Sequence, residues 1–297
     1  MQPVSQYLKL TFEMKNYKFI KMHGAGNDFV IFDAKMNENL NFSPEQIKKI
    51  CDRHFGIGAD GVIIFSDSNA TDFEINYFEA DGTTGNLCAN GSRCVIKYAK
   101  EMNRITGAQA RFIFNNNEYS GEVIDDQLVK FNLNSQIEIK TNFKIEAAGQ
   151  LINSSYVHNG TPHTVIKIQD VLKNPDDQNS MYDDINSFPV FELAKEIRYS
   201  KDFAPAGTNV NFYSIENDKI FVRSYERGVE GETLACGTGI IATALVINKN
   251  EGINPPIKIV SSSGYELTVN FSVANHSIND LSLIGKAEFV FKGELLI

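Results

Sequence analysis

The sequence predicts an α/β protein of two duplicated domains that face each other across a cleft. Three observations carry the prediction. The chain has 297 residues, about twice the ~150 of a typical domain. Strand-like and helix-like segments alternate along it. A weak internal repeat sets two glycine-rich cysteine turns 148 residues apart, half the chain. At 42% hydrophobic and 22% charged, the composition excludes disordered, collagenous and coiled-coil classes.

The elements follow in order. Phe19–Met22 and Val30–Asp33 read as strands around a tight turn, His23-Gly-Ala-Gly-Asn-Asp28. Ser43-Pro44-Glu45-Gln46 is a capping box with proline at the first helical position, opening a helix that should run to about His54 and stop at Gly56. Val62–Phe65 and Phe73–Phe78 have strand character, the second by alternation. A polar loop, Asp81–Asn86, precedes a helix from Cys88 to about Met102. Residues 111–134 read as successive strands with turns at Asn115–Asn117 and Asp125-Asp126, and the stretch Ser135–Phe143 is the expected domain boundary. Beyond it come strands near 156–169, a Pro- and Asp-rich loop at 174–185, a helix near 190–197, strands near 209–226, a glycine-rich turn, a helix from Cys236 to about Asn248, and closing strands.

Charge and cysteine content narrow the partners. Lys plus Arg number 28 against 37 Asp plus Glu, a net −9 without basic clusters, which disfavours nucleic acid and anionic membranes. No stretch approaches the ~20 apolar residues of a spanning helix, and Met1–Asn16 lacks the unbroken apolar run of a secretory signal. The four cysteines, Cys51, Cys88, Cys94 and Cys236, therefore read as reduced thiols of a cytoplasmic protein. No C-x-x-C pair or histidine spacing suggests a metal. Gly56-Ile-Gly-Ala-Asp-Gly61 matches G-x-G-x-x-G literally, but a helix precedes it and a strand follows, the reverse of a dinucleotide site.

In the repeat, Asp81-Gly82 leads to Leu87-Cys88-Ala89-Asn90-Gly91 and Glu230-Gly231 to Ala235-Cys236-Gly237-Thr238-Gly239, each followed by an apolar run. A cysteine at a helix entry is by itself often a small buried hydrophobe. Two matched ones, brought across a cleft by a pseudo-twofold axis, suggest chemistry. Unpaired N–H groups at each helix start favour negative charge. They should draw the thiol pKa toward neutrality and cradle a carboxylate whose α-carbon is losing a proton. Two thiols on opposite sides of that carbon would exchange its proton: racemisation or epimerisation, with neither cofactor nor metal. Cys51 and Cys94 read as core.

Six motifs in order resemble one family: His23–Phe29, Arg53–Asp60, Ala80-Asp-Gly with Cys88–Cys94, Pro162-His163, Glu226-Arg-Gly228 and Ala235–Gly239. Together they are similar to the diaminopimelate epimerases. The resemblance leaves the first 16 or so residues outside, as an N-terminal extension. It implies two pseudo-symmetric domains, each a mixed, largely antiparallel sheet wrapped around a central helix, with an active site in the interdomain cleft. The domains would be 17–135 plus 284–297, carrying Cys88, and 136–283, carrying Cys236. It also implies cofactor-independent interconversion of LL- and meso-diaminopimelate in lysine and cell-wall precursor synthesis. Cys88 and Cys236 match the acid/base pair, and His163 and Glu226 match residues that adjust their protonation. Ala89, Asn90, Gly237 and Thr238 match the carboxylate cradle. Asn27, Asn209, Glu226 and Arg227 match substrate-holding groups, Arg227 being suited to fork onto a distal carboxylate. The same resemblance puts Gly61, Glu79 and Thr161 at the pocket. The expected partner is a small amino acid, with a second copy of the chain as a candidate.

Three departures stand out: Glu79 where the family usually has Asn, Thr161 for Asn, and Ala89 for Gly. A Glu79 carboxylate would repel a distal carboxylate or pair with a distal ammonium, at about 4 kcal/mol for ~4 Å and a dielectric of ~20. This leaves open a racemase of a related amino acid, and beyond enzymes, a two-domain ligand-binding protein. Taken singly, Asn27 also reads as a turn residue, His163 as a satisfied loop histidine, and Glu226-Arg227 as a solvated pair.

Overall fold

The computed structural model describes residues 15–275 and 277–297. All but the end of the expected N-terminal extension lies outside them; Asn16 already belongs to the first strand. The first half holds β1 (Asn16–Gly24), β2 (Asn27–Asp33), α1 (Pro44–Cys51), β3 (Gly61–Ser66), β4 (Phe73–Glu79), α2 (Ala89–Glu101), β5 (Gln109–Phe114), β6 (Asn117–Val123) and β7 (Leu128–Asn132). There follow β8 (Glu138–Ala147), β9 (Gln150–His158), β10 (Pro162–Lys167), α3 (Val190–Arg198), β11 (Asn209–Glu216), β12 (Lys219–Glu226), the short β13 (Gly231–Thr233) and α4 (Gly237–Glu251). β14 (Ile257–Val260), β15 (Glu266–Ala274), β16 (Ser277–Lys286) and β17 (Glu288–Leu296) close the chain.

Strand pairing reveals the duplication. From β1 to β7, neighbours pair antiparallel, parallel, antiparallel, parallel, antiparallel, antiparallel. The series β9, β10, β11, β12, β14, β15, β16 repeats that pattern step for step. The helices fall in matching places, α1 with α3 and α2 with α4. Each series has one extra outer strand, β17 on β1 and β8 on β9. The last strands of the two, β7 and β16, pair antiparallel, so one ribbon runs through both halves. α2 and α4 are enclosed by their own strands and touch each other. Both are buried almost all round, as expected of helices that form a core rather than cover one.

Local chemistry explains most boundaries. Ser43 caps α1 as expected, its hydroxyl accepting from Gln46 N while Gln46 returns a bond to Ser43 N. The predicted extension of that helix to His54 is not found. The Asp52 carboxylate accepts from His54 N and Phe55 N at 2.7 and 2.8 Å, an Asx turn that competes with the helix and ends it at Cys51. Gly56 is required there for close approach: a Cβ would lie 1.8 Å from Lys49 O. β8, running through the expected linker, was also not predicted. Its alternation of Ile139, Phe143 and Ile145 is broken by a register shift where Asn142 takes φ 58°. Cys51 and Cys94 are core, as expected.

Candidate active site

Cys88 and Cys236 occupy the same place in the two repeats, each the N-cap of its half's central helix, with extended backbone (φ/ψ −103/116° and −97/104°). The two turns abut. Asn90 Nδ2 donates 3.0 Å to Ala235 O, the residue before Cys236, and a Cβ on Gly237 would lie 2.9 Å from the Ala89 Cβ. Both thiols are free.

The pKa expectation is overturned. The N–H groups of Asn90 and Gly91 do pull the Cys88 thiol down, yet burial outweighs them and pushes it up to about 12. Cys236, 5% exposed, is raised well above the ordinary thiol by burial and then by the Glu226 charge, against the lowering contributions of Thr238 and Gly239 N–H. The magnitudes decide it: a helix terminus supplies about 0.3–2 kcal/mol, whereas three pKa units are about 4 kcal/mol. Both sulfurs therefore hold their protons, and each needs an acceptor.

The acceptors differ. Cys88 donates to Asn27 Oδ1 at 3.3 Å. A two-residue hairpin brings Asn27 there: Ala25 and Gly26 take φ 54° and 89°, the paired positive values of a primed turn. Asn27 Nδ2 in turn donates to Asp60 at 2.7 Å, and Arg53 bridges Asp60 to Asp28. Asp28 is held at about 2: burial pushes its carboxyl up, and Arg53 and Lys21 overcome it. Cys236 instead stands beside the Glu226 carboxylate at the end of β12, whose charge raises its thiol further. Glu226 is raised by burial and also accepts from Thr233 Oγ1 at 2.5 Å.

His163, 0% exposed on β10, is pushed down to about 3 by burial and so stays neutral. Its Nε2 lies 2.9 Å from Thr161 Oγ1. Asn209 is spent on the backbone, donating to Pro162 O and accepting from Arg227 N. The Arg227 guanidinium donates to Ala206 O and, among the described residues, has no carboxylate within ion-pair distance. With Lys140, Tyr156, His158, Pro162 and Phe203 it lines a cleft of about 740 Å³. Glu79 accepts from Tyr77 OH at 2.7 Å, and burial raises its carboxyl. Gly61 bears on the site only by admitting Tyr77, since a Cβ there would lie 2.4 Å from that ring.

Several participants escaped the sequence reading. Arg93, fully buried, donates to Asn90 Oδ1 at 2.8 Å and leaves Nε without a partner. Asn211 and Ser224 stand behind His163. The signal for Asn211 was present: with Asn209 it puts two amides on one face of β11. Asp60 and Tyr77 gave none beyond their neighbours.

The fold itself defines a class: duplicated α/β proteins with a central helix in each half. Solved structures similar to it in fold include a Bacillus anthracis phenazine biosynthesis protein of the PhzF family, with TM-score 0.69, 14% identity and 96% and 100% of the two chains covered. A hydroxyproline epimerase from Agrobacterium vitis gives TM-score 0.65 at 12% identity, covering 95% and 93%. Within the class the chain belongs to the diaminopimelate epimerase family, whose profile matches residues 19–136 and 155–290. The diaminopimelate epimerase of Aquifex aeolicus is 35% identical over 293 residues, 94% of this chain and 97% of that protein. That of Flavobacterium psychrophilum is 31% identical, covering 94% and 99%.

Proposed function

We propose that the chain interconverts LL- and meso-diaminopimelate without a cofactor, Cys88 and Cys236 exchanging the α-proton from opposite faces. The observation that carries this reading is the meeting of two equivalent N-cap cysteines at abutting helix starts. The substrate α-carboxylate would lie on the N–H groups of Ala89, Asn90, Gly237 and Thr238, where charge develops as the α-carbon loses its proton. Glu226 would take the Cys236 proton, and Asn27 would hold that of Cys88. Arg227, with no carboxylate at ion-pair distance among the described residues, suits a distal carboxylate in the cleft it lines. The test is solvent exchange: in deuterium oxide the protein should place deuterium at the α-carbon of either stereoisomer, and a ligand-binding protein would place none.

The domains in this reading are 17–135 plus 284–297, and 136–283. Residues 284–286 complete β16, which pairs with both halves, so the division passes through a shared strand. A cytoplasmic location fits the need for free thiols. A homodimer is expected, with exposed Val290 and Phe291 on edge strand β17 as apolar surface to cover.

One observation favours a related amino acid instead. Glu79 presents a carboxylate near the site, where it would oppose a distal carboxylate. Glu79→Asn should then improve turnover of diaminopimelate over a monocarboxylate analogue. No improvement means that the Tyr77 hydrogen bond keeps Glu79 from opposing the substrate.

A further inference from the structure

Behind Cys236 lies a run of side chains whose hydrogen-bond direction can be worked out atom by atom. Asn211 is oriented by two neighbours: its Oδ1 accepts from Ser224 Oγ at 2.9 Å, and its Nδ2 faces the Thr164 carbonyl at 3.4 Å. Its Nδ2 also lies 3.1 Å from His163 Nδ1. An amide nitrogen only donates, so Nδ1 accepts, and a neutral imidazole must carry its proton on Nε2. That Nε2–H points at Thr161 Oγ1, 2.9 Å away. Having accepted there, the Thr161 hydroxyl directs its own proton onto Thr238 Oγ1 at 3.3 Å. Thr238 Oγ1 is then left with its proton facing Cys236 Sγ at 3.7 Å.

We propose that Thr161 is a positioning residue for Cys236: it passes the donor polarity fixed by Asn211 and His163 through Thr238 to the sulfur, and so stabilises the Cys236 thiolate. This rests on the two-thiol reading above. When the Cys236 proton moves to Glu226, the sulfur is left with negative charge and a preset donor, requiring no rearrangement. Thr161 is thereby assigned to this chain of hydroxyls rather than to substrate. The titratable groups around the run are Glu226 beside Cys236, and His158 and Arg227 near His163. None of them interrupts it. Among the described residues no side chain donates to the Cys88 sulfur, whose one side-chain hydrogen bond runs to Asn27 Oδ1.

The first readouts of the test need no substrate. In protein carrying ¹³Cβ-labelled cysteine and ¹⁵N-labelled histidine, His163 should show the Nε2–H form, and each thiol should report its own titration. Thr161→Val should raise the Cys236 midpoint by about one pH unit, the worth of one hydrogen bond to a charged group, and leave Cys88 unmoved. Thr161→Ser should restore it. In turnover, Thr161→Val should lower kcat about tenfold at unchanged KM, by the same reckoning. Asn211→Asp, whose carboxylate accepts from Nδ1–H, should force the other tautomer and raise Cys236 with Thr161 intact. If that variant does not fold, the Thr161 pair and the parent tautomer decide alone. An Nδ1–H tautomer in the parent, an unmoved Cys236 midpoint in Thr161→Val, or a raised KM at parent kcat overturns the proposal. The two-thiol reading stands or falls separately, on deuterium exchange by the parent.

Discussion

The Cys88 and Cys236 turns are one structure made twice and wired differently. Each sulfur caps a central helix at the same step of the same strand sequence. Beside Cys88 is a neutral amide, tied through Asp60 to an exposed-edge ion cluster of Arg53, Asp28 and Lys21. Beside Cys236 is a buried carboxylate, with hydroxyls on the other side. Duplication supplies position; proton affinity is set afterwards by what each half packs against its copy. In a two-base reaction one sulfur holds the proton the other lacks and each turnover exchanges those roles, so the unequal neighbours set which sulfur gives up its proton more readily.

The comparison can be broken or sharpened in steps. The largest effect is expected where the halves are alike: Cys88→Ala and Cys236→Ala should each lower α-deuterium exchange by at least about a thousandfold. Retained turnover in either would end the two-thiol mechanism. The wiring is read next. Glu226→Gln removes the acceptor of the Cys236 proton and should lower kcat about a hundredfold, whereas Asn27→Ala removes a neutral acceptor worth one hydrogen bond and should lower it about tenfold. Equal losses would mean that the two neighbours do the same work.

The smallest effect is on stability. His163 stays neutral in the fold down to about 3, while the unfolded chain takes up that proton near 6.5. The unfolded state therefore binds more protons between those values, and stability falls as pH drops through the window, by about 1.4 kcal/mol per unit. Urea titrations at pH 7 and pH 5 should show the loss, and His163→Gln should flatten it.

Much of this was legible in the sequence. The capping box at Ser43, the alternation of Phe73 to Tyr77 and the apolar runs after both cysteines placed their elements, because each is a local rule that tertiary packing did not oppose. β8 escaped because a bulge interrupts its period. The end of α1 escaped because a side-chain turn at Asp52 competes with helix continuation. In the site, the two helix-start cysteines were legible, and their pKa was not. A helix terminus is written in a few adjacent residues, whereas burial of a sulfur depends on chain 148 residues away. For the same reason nothing near Arg93 announced that it would be sealed with no carboxylate beside it among the described residues, donating to the Asn90 amide and the Ala89 carbonyl.

The contact between Ala89 and Gly237 binds the two repeats in one further way. The seam between the helix starts has room for a single methyl group, and Ala89 fills it. An alanine at both positions would bring two β-carbons within 2.9 Å of each other and force the turns apart. The methyl group of Ala89 is therefore tolerated only while its twin position, Gly237, stays bare.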